Sequence, residues 1–196
     1  MPNNSALLAP LPSDCAQAVR AALAEFDISP ARPGEVAEAR ALAVRLIGGD
    51  MATTETIAQV HERTGAGLFI IRQHGALAGL LAFLMLSDHG RTALLKGALD
   101  TLDPAPDHVI EAGEEAAGVY SWAIAAANHG VAQSLVRGHE RVRHVAAPHL
   151  PFYLRPVTPQ GRRLAVVRLG FKPLPGRRNG LFWSEPKEQS LLEVAA

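Results

Sequence analysis

The chain predicts an α/β fold, a mixed twisted sheet flanked by helices, on three observations. The hydrophobic period changes at Gly67, from a helical repeat to continuous apolar runs. An apolar strand from Val119 to Ala126 runs into the glycine turn Ala127-Asn128-His129-Gly130-Val131-Ala132 and then a helix. The chain closes on two short β-prone runs, Phe171 to Leu174 and Leu181 to Ser184, joined by Pro-Gly-Arg-Arg-Asn-Gly.

Taken in order, Asp14 with Gln17 makes a capping box, and Cys15, Val19, Ala22, Leu23 and Phe26 share one stripe. This predicts a first helix over Ser13 to Phe26. Pro30 and Pro33 interrupt. Val36, Ala39, Ala43, Leu46 and Ile47 predict a second helix stopped by Gly48-Gly49, and Thr54 to Arg63 a third. Leu68 to Arg72 and Ala76 to Leu86, separated by the turn Gln73-His74-Gly75, form a hairpin. Arg91 to Leu102 reads as a helix broken by Asp103-Pro-Ala-Pro-Asp107, and the stretch to Ala117 as an excursion before the strand Val119 to Ala126. Gly130 to Arg143 is helical by pattern. Phe152 to Val157 is a short strand, and a last helix begins with Pro159 after the cap Thr158 and continues over Gly161 to Leu169.

At 196 residues, with 48% apolar and 19% charged side chains, the chain suits one domain over 1–186, with a helical part to about residue 65 and a flexible tail over 187–196. Lys plus Arg and Asp plus Glu both total 19, so no global field favours nucleic acid or an anionic membrane. The single Cys15 excludes an internal disulfide, and the longest apolar run, Ala76 to Leu86, falls short of the about 20 residues that a membrane helix needs. A cytoplasmic protein is expected, and a homodimer is left open. The eight histidines show no His-x-x-x-His pair with an adjacent acid and no Cys partner, so no metal is expected.

A strand that delivers a glycine turn to a helix N-terminus points unpaired backbone N–H groups and the positive end of the helix dipole at one place. That is a seat for phosphate. In order and spacing, residues Gly67 to Ser184 resemble the acetyl-CoA-binding part of the Gcn5-related N-acetyltransferase (GNAT) superfamily. The turn fills that family's pyrophosphate signature, with Gly130 and Ala132 at its small positions and Ala127 where the family has Gln or Arg. The triplet Leu169-Gly170-Phe171 reproduces the family's lead into its closing strands. The resemblance implies a mostly antiparallel sheet splayed between the fourth and fifth strands to admit a pantetheine arm. It assigns acetyl-CoA, or another acyl-CoA, as cosubstrate. Asn128, His129, Gly130, Val131 and Ala132 would hold the pyrophosphate, Ala125 would pair with pantetheine, and Ala127 and Arg137 would complete the cofactor set. The reaction implied is transfer of an acyl group to an amine of a small molecule or peptide.

The family's proton donor, a tyrosine four residues before the glycine of the triplet, is Val166 here. Tyr153, on the strand bordering the splay, is the phenol that could replace it. Arg155 is placed to hold an acceptor carboxylate. Glu115, nearest the fourth strand among Glu111, Glu114 and Glu115, is the candidate base. Arg137, His139, Arg141, Arg143 and His144 form a basic stretch suited to the outer phosphates of coenzyme A. Ala127 and Val166 equally fit a catalytically silent acyl-CoA-binding or protein-interaction module on the same fold. An α/β domain unrelated to the family is the third reading.

Overall fold

The computed structural model describes residues 15–175 and 180–186. The Asp14 cap, the centre of the closing turn and the tail over 187–196 lie outside the described residues. The strands are β1 (Ser29–Pro30), β2 (Leu68–Gln73), β3 (Ala76–Leu86), β4 (Gly118–Ala126), β5 (Phe152–Leu154), β6 (Lys172–Pro173) and β7 (Phe182–Ser184). They form one seven-stranded sheet in the order β1-β2-β3-β4-β5-β7-β6. Neighbours are antiparallel except β4 and β5, which run parallel. The expected mixed, mostly antiparallel architecture is the one observed. No helix among the described residues is long and apolar enough to cross a membrane.

Helices cover both faces because the central strands are apolar on both. In β2, Phe69 and Ile71 enter the cluster beneath α1 (Cys15–Ala24) and α5 (His129–Arg141). Their neighbours Leu68 and Ile70 pack on the opposite face, against α2 (Val36–Ile47) and Ile57 and Ala58 of α3 (Thr54–Thr64). Ala93 and Leu94 of α4 (Asp88–Lys96) close the far end of that face with Leu84, Tyr120 and Tyr153. Gly138 brings α5 close to the α1 end: a Cβ there would sit 2.7 Å from Ile28 Cδ1 and 2.9 Å from Leu23 Cδ2. Gly138→Val is therefore expected to destabilise by about 1–3 kcal/mol through overpacking, read as a lower urea midpoint. An unchanged midpoint would mean that this contact is loose.

Several boundaries differ from expectation for local reasons. The helix expected over Arg91 to Leu102 starts earlier, because the Ser87 side chain accepts from the Gly90 N–H, and it stops at Gly97, whose φ is 76°. The strand expected to reach Val157 ends at Leu154; Pro156, just beyond, has no N–H to offer a ladder. The last helix is only α6 (Pro159–Arg163), followed by a π-helical turn over Leu164–Arg168. Gly170, at φ 67°, and buried Phe171 then leave it as expected. β1 was not anticipated, being two residues that pair Ser29 with Ile70 and Pro30 with Phe69.

β4 and β5 pair only at Val119–Phe152 and Tyr120–Tyr153. Beyond that point β4 continues to Ala126 with β3 as its partner. Trp122 is an extra residue in that ladder, since Ala123 faces Ala82 and Ser121 faces Phe83. Such a bulge sharpens the local twist, and here it coincides with the parting of the strands.

Candidate functional site

The splay opens onto a cavity of about 330 Å³, within the range of small-molecule sites. Tyr120 to Ile124 of β4 form one wall, and Leu154 to Thr158 with Gly161, Leu164 and Ala165 form the facing one. The end of α2 and the Gly48-to-Ala52 loop also line it. Most of the lining is apolar. The charged side chains are Arg40, Asp50 and Arg155, and Arg40 is committed, its Nε donating to the Ala52 carbonyl at 2.7 Å.

Four residues of the lining carry hydroxyls: Thr101, Tyr120, Ser121 and Thr158. Tyr120 is 5% exposed and lines the cavity, and burial raises the pKa of its phenol, with Arg155 opposing. It stays protonated at neutral pH. Ser121 lines the cavity too, and its Oγ is 2.8 Å from His139 Nε2. His139 is fully buried among Phe83, Phe152 and Phe171. Burial, helped by Arg143 and His144, lowers its pKa to about 3, so the ring is neutral. Its Nδ1 has no partner. An orphaned buried acceptor costs less than an orphaned donor, which favours the tautomer with hydrogen on Nε2, donated to Ser121.

The glycine turn sits at the far end of β4 from Tyr120. Ala125 is buried in the core, and the Ala127 N–H donates to the Ala78 carbonyl at 2.8 Å. Asn128 caps α5, its Oδ1 accepting from the Val131 N–H at 3.0 Å, while the Ala132 N–H bonds the Asn128 carbonyl. The seat is thus narrower than the sequence suggests: the donors at Ala127, Val131 and Ala132 are already engaged. The exposed first-turn residues His129 and Gly130 carry the N–H groups that no helical carbonyl can reach. Gly130 is open, since a Cβ there would meet only Asn128 Oδ1 at 3.5 Å. Arg137 is exposed further along the same helix.

Other expected site residues fall elsewhere. Tyr153 is 2% exposed, is not among the cavity lining, and accepts a hydrogen bond from Arg91 Nε at 3.3 Å. Glu115 is exposed in the loop ahead of β4, also outside the lining. Val166 is 44% exposed on the turn after α6. The basic stretch late in α5 does not form one phosphate-facing surface. His139 and Arg143 are core residues, Arg143 donating to the Leu169 carbonyl at 2.6 Å beneath Phe171, and Arg141 pairs with Glu25 at 2.9 Å. Their spacing carried the signal, because Val131, Leu135, His139 and Val142 share one helical stripe. Lining residues that the sequence reading did not single out include Tyr120, Ser121 and Asp50, the last being the one carboxylate in the lining among the described residues. Away from the cavity, His89, Asp107 and His108 bring ligand atoms within 4.8 Å of one another, a grouping that the sequence separation conceals.

No protein-family model and no curated protein matches the chain. Among solved structures, one described as histone acetyltransferase HPA2 and related acetyltransferase from Corynebacterium glutamicum ATCC 13032 aligns with a TM-score of 0.49 at 16% identity. The alignment covers 84% of this chain and 98% of that one.

Proposed function

We propose that the protein is an acyl-CoA-dependent N-acyltransferase of the Gcn5-related kind, moving an acetyl group from acetyl-CoA to a primary amine. The observation that carries this reading is the parting of β4 from β5 after Tyr120, beside an apolar cavity. An unpartnered strand edge offers backbone donors and acceptors to an extended amide-bearing chain, which is what pantetheine is. His129 and Gly130 at the start of α5 would receive the pyrophosphate.

In the reaction, the amine nitrogen attacks the thioester carbonyl, the N–C bond forms and the C–S bond breaks. Tyr120 donates its proton to the departing sulfur, and the proton shed by the nitrogen returns to the phenolate through water, so the enzyme is restored. Asp50 in the lining draws the cationic amine inward; the ammonium gives its first proton to water, so that the neutral amine attacks, and the proton returned to the phenolate is the second.

Calorimetric titration with acetyl-CoA tests the reading, with micromolar affinity expected, about 8 kcal/mol. Gly130→Glu should abolish that binding by placing a carboxylate in the phosphate seat. The fold should survive: the position is open, its φ lies outside the left-handed region, and a carboxylate at a helix N-terminus is favourable. Undiminished binding would put the pyrophosphate elsewhere. Exposed Val166 favours a second reading, a silent acyl-CoA-binding module. Thiol release with a panel of amines separates the two.

A further inference from the structure

Arg155 is the arginine of the cavity lining that no hydrogen bond or ion pair found among the described residues engages. It follows β5 directly, is half-buried in the cavity wall, and its Nε is buried without a hydrogen-bond partner. None of the ion pairs found among the described residues includes it. Arg40 bonds Ala52 and Arg91 bonds Tyr153, while Arg143, whose Nε is likewise unpartnered, bonds Leu169 through Nη1. A buried guanidinium N–H left unmet is costly unless an acceptor completes it. The guanidinium's planar fork matches a carboxylate, which it can bind through two parallel hydrogen bonds.

Position narrows the anion. Val119 pairs with Phe152 and Tyr120 with Tyr153, so counting on along both strands puts Arg155 level with Trp122, at the bulge where the strands part. It stands near enough to Tyr120 for its charge to act on the phenol. The phosphate seat lies at the other end of β4, past Ala126. The same lining is otherwise mostly apolar and includes Ile47, Met51, Ile57 and Trp122.

We infer that the acceptor is an amino-acid-like amine, carrying a carboxylate held by Arg155 and an apolar side chain lodged against Ile47, Met51 and Trp122. This rests on the acyl-transfer reading. It adds the class of amine.

The test compares leucine and phenylalanine with their decarboxylated counterparts, isoamylamine and phenethylamine, by thiol release at fixed acetyl-CoA. The carboxylated acceptors are expected to show kcat/KM about 100-fold higher or more. Arg155→Gln should erase that preference by raising KM for the amino acids, and Arg155→Lys should restore part of it, with the acetyl-CoA Kd unchanged in both. Calorimetric binding of leucine against isoamylamine reads the same preference where turnover is low. Equal handling of the two members of each pair overturns the inference while leaving acyl transfer standing. Weaker acetyl-CoA binding by Arg155→Gln, with acceptor preference intact, also overturns it, because Arg155 would then hold a cofactor phosphate. Absence of acetyl-CoA binding by the unaltered protein removes the acyl-transfer reading itself.

Discussion

Tyr120→Phe is expected to lower turnover about 100-fold or more, with acetyl-CoA affinity nearly unchanged. The substitution keeps the ring in its packing with Leu84, Leu86 and Tyr153 and removes only the hydroxyl, which bonds no other described group. Stability should hardly move. A proton donor contributes roughly 10² to 10⁴ in rate, and a loss confined to kcat marks an interaction made only as the C–S bond breaks. Tyr153→Phe is the matched control: its ring is equally buried, its hydroxyl is occupied by Arg91 and does not line the cavity. Its turnover should remain within about threefold of the unaltered protein, on the same scale of effects. If the two variants exchange these outcomes, Tyr153 is the donor and the splay opens differently during reaction. If neither slows, water protonates the sulfur.

Acidification is expected to unfold the protein well before its carboxylates are all protonated. His139 is neutral in the folded chain, its pKa lowered from 6.5 to about 3 by burial and by Arg143 and His144. Above pH 6.5 the ring is neutral whether the chain is folded or not, and this site contributes no pH dependence. As pH falls below 6.5 the unfolded chain takes up the proton that the folded chain refuses. Stability then drops by about 1.4 kcal/mol per pH unit, to a total of about 5 kcal/mol near pH 3, below which this contribution is constant. That is comparable with the whole stability of many domains. His61 works in the same direction. Its Nδ1 accepts from the Leu68 N–H at 3.0 Å, its Nε2 lies 3.0 Å from the Ala31 carbonyl, and burial lowers its pKa. Urea denaturation at pH 7.5, 6, 5 and 4.5 reads the combined slope. His139→Phe should be shallower while keeping the His61 part, and the lost bond to Ser121 shifts the whole curve without altering its slope. Parallel curves for the two proteins would contradict the buried neutral assignment.

The pattern of residues specified the order of elements almost completely, because helix and strand periods are local. Val36 to Ile47 forms the helix its stripe predicts, and Ala76 to Leu86 the strand. The Gly170 exit and the Thr158 cap were equally legible, since each depends on one residue's stereochemistry. β1 was not legible, because two residues including a proline have no period and become a strand only by pairing with β2.

For the site, the sequence located the strand, the glycine turn and the splay region, but not which of two facing residues lines the cavity. Tyr120 and Tyr153 both lie in apolar runs and face each other in register, so alternation assigns them the same face. Which phenol meets the cavity depends on where β5 stops, and that is decided across the sheet. Asn128 lies in the expected phosphate seat, yet in the fold it spends its side chain capping α5. His139 and Arg143 look basic in sequence, but burial makes one neutral and turns the other toward a core carbonyl. Charge, hydrogen-bond supply and access to a cavity belong to the surroundings of a side chain, and those surroundings are set by residues distant along the chain.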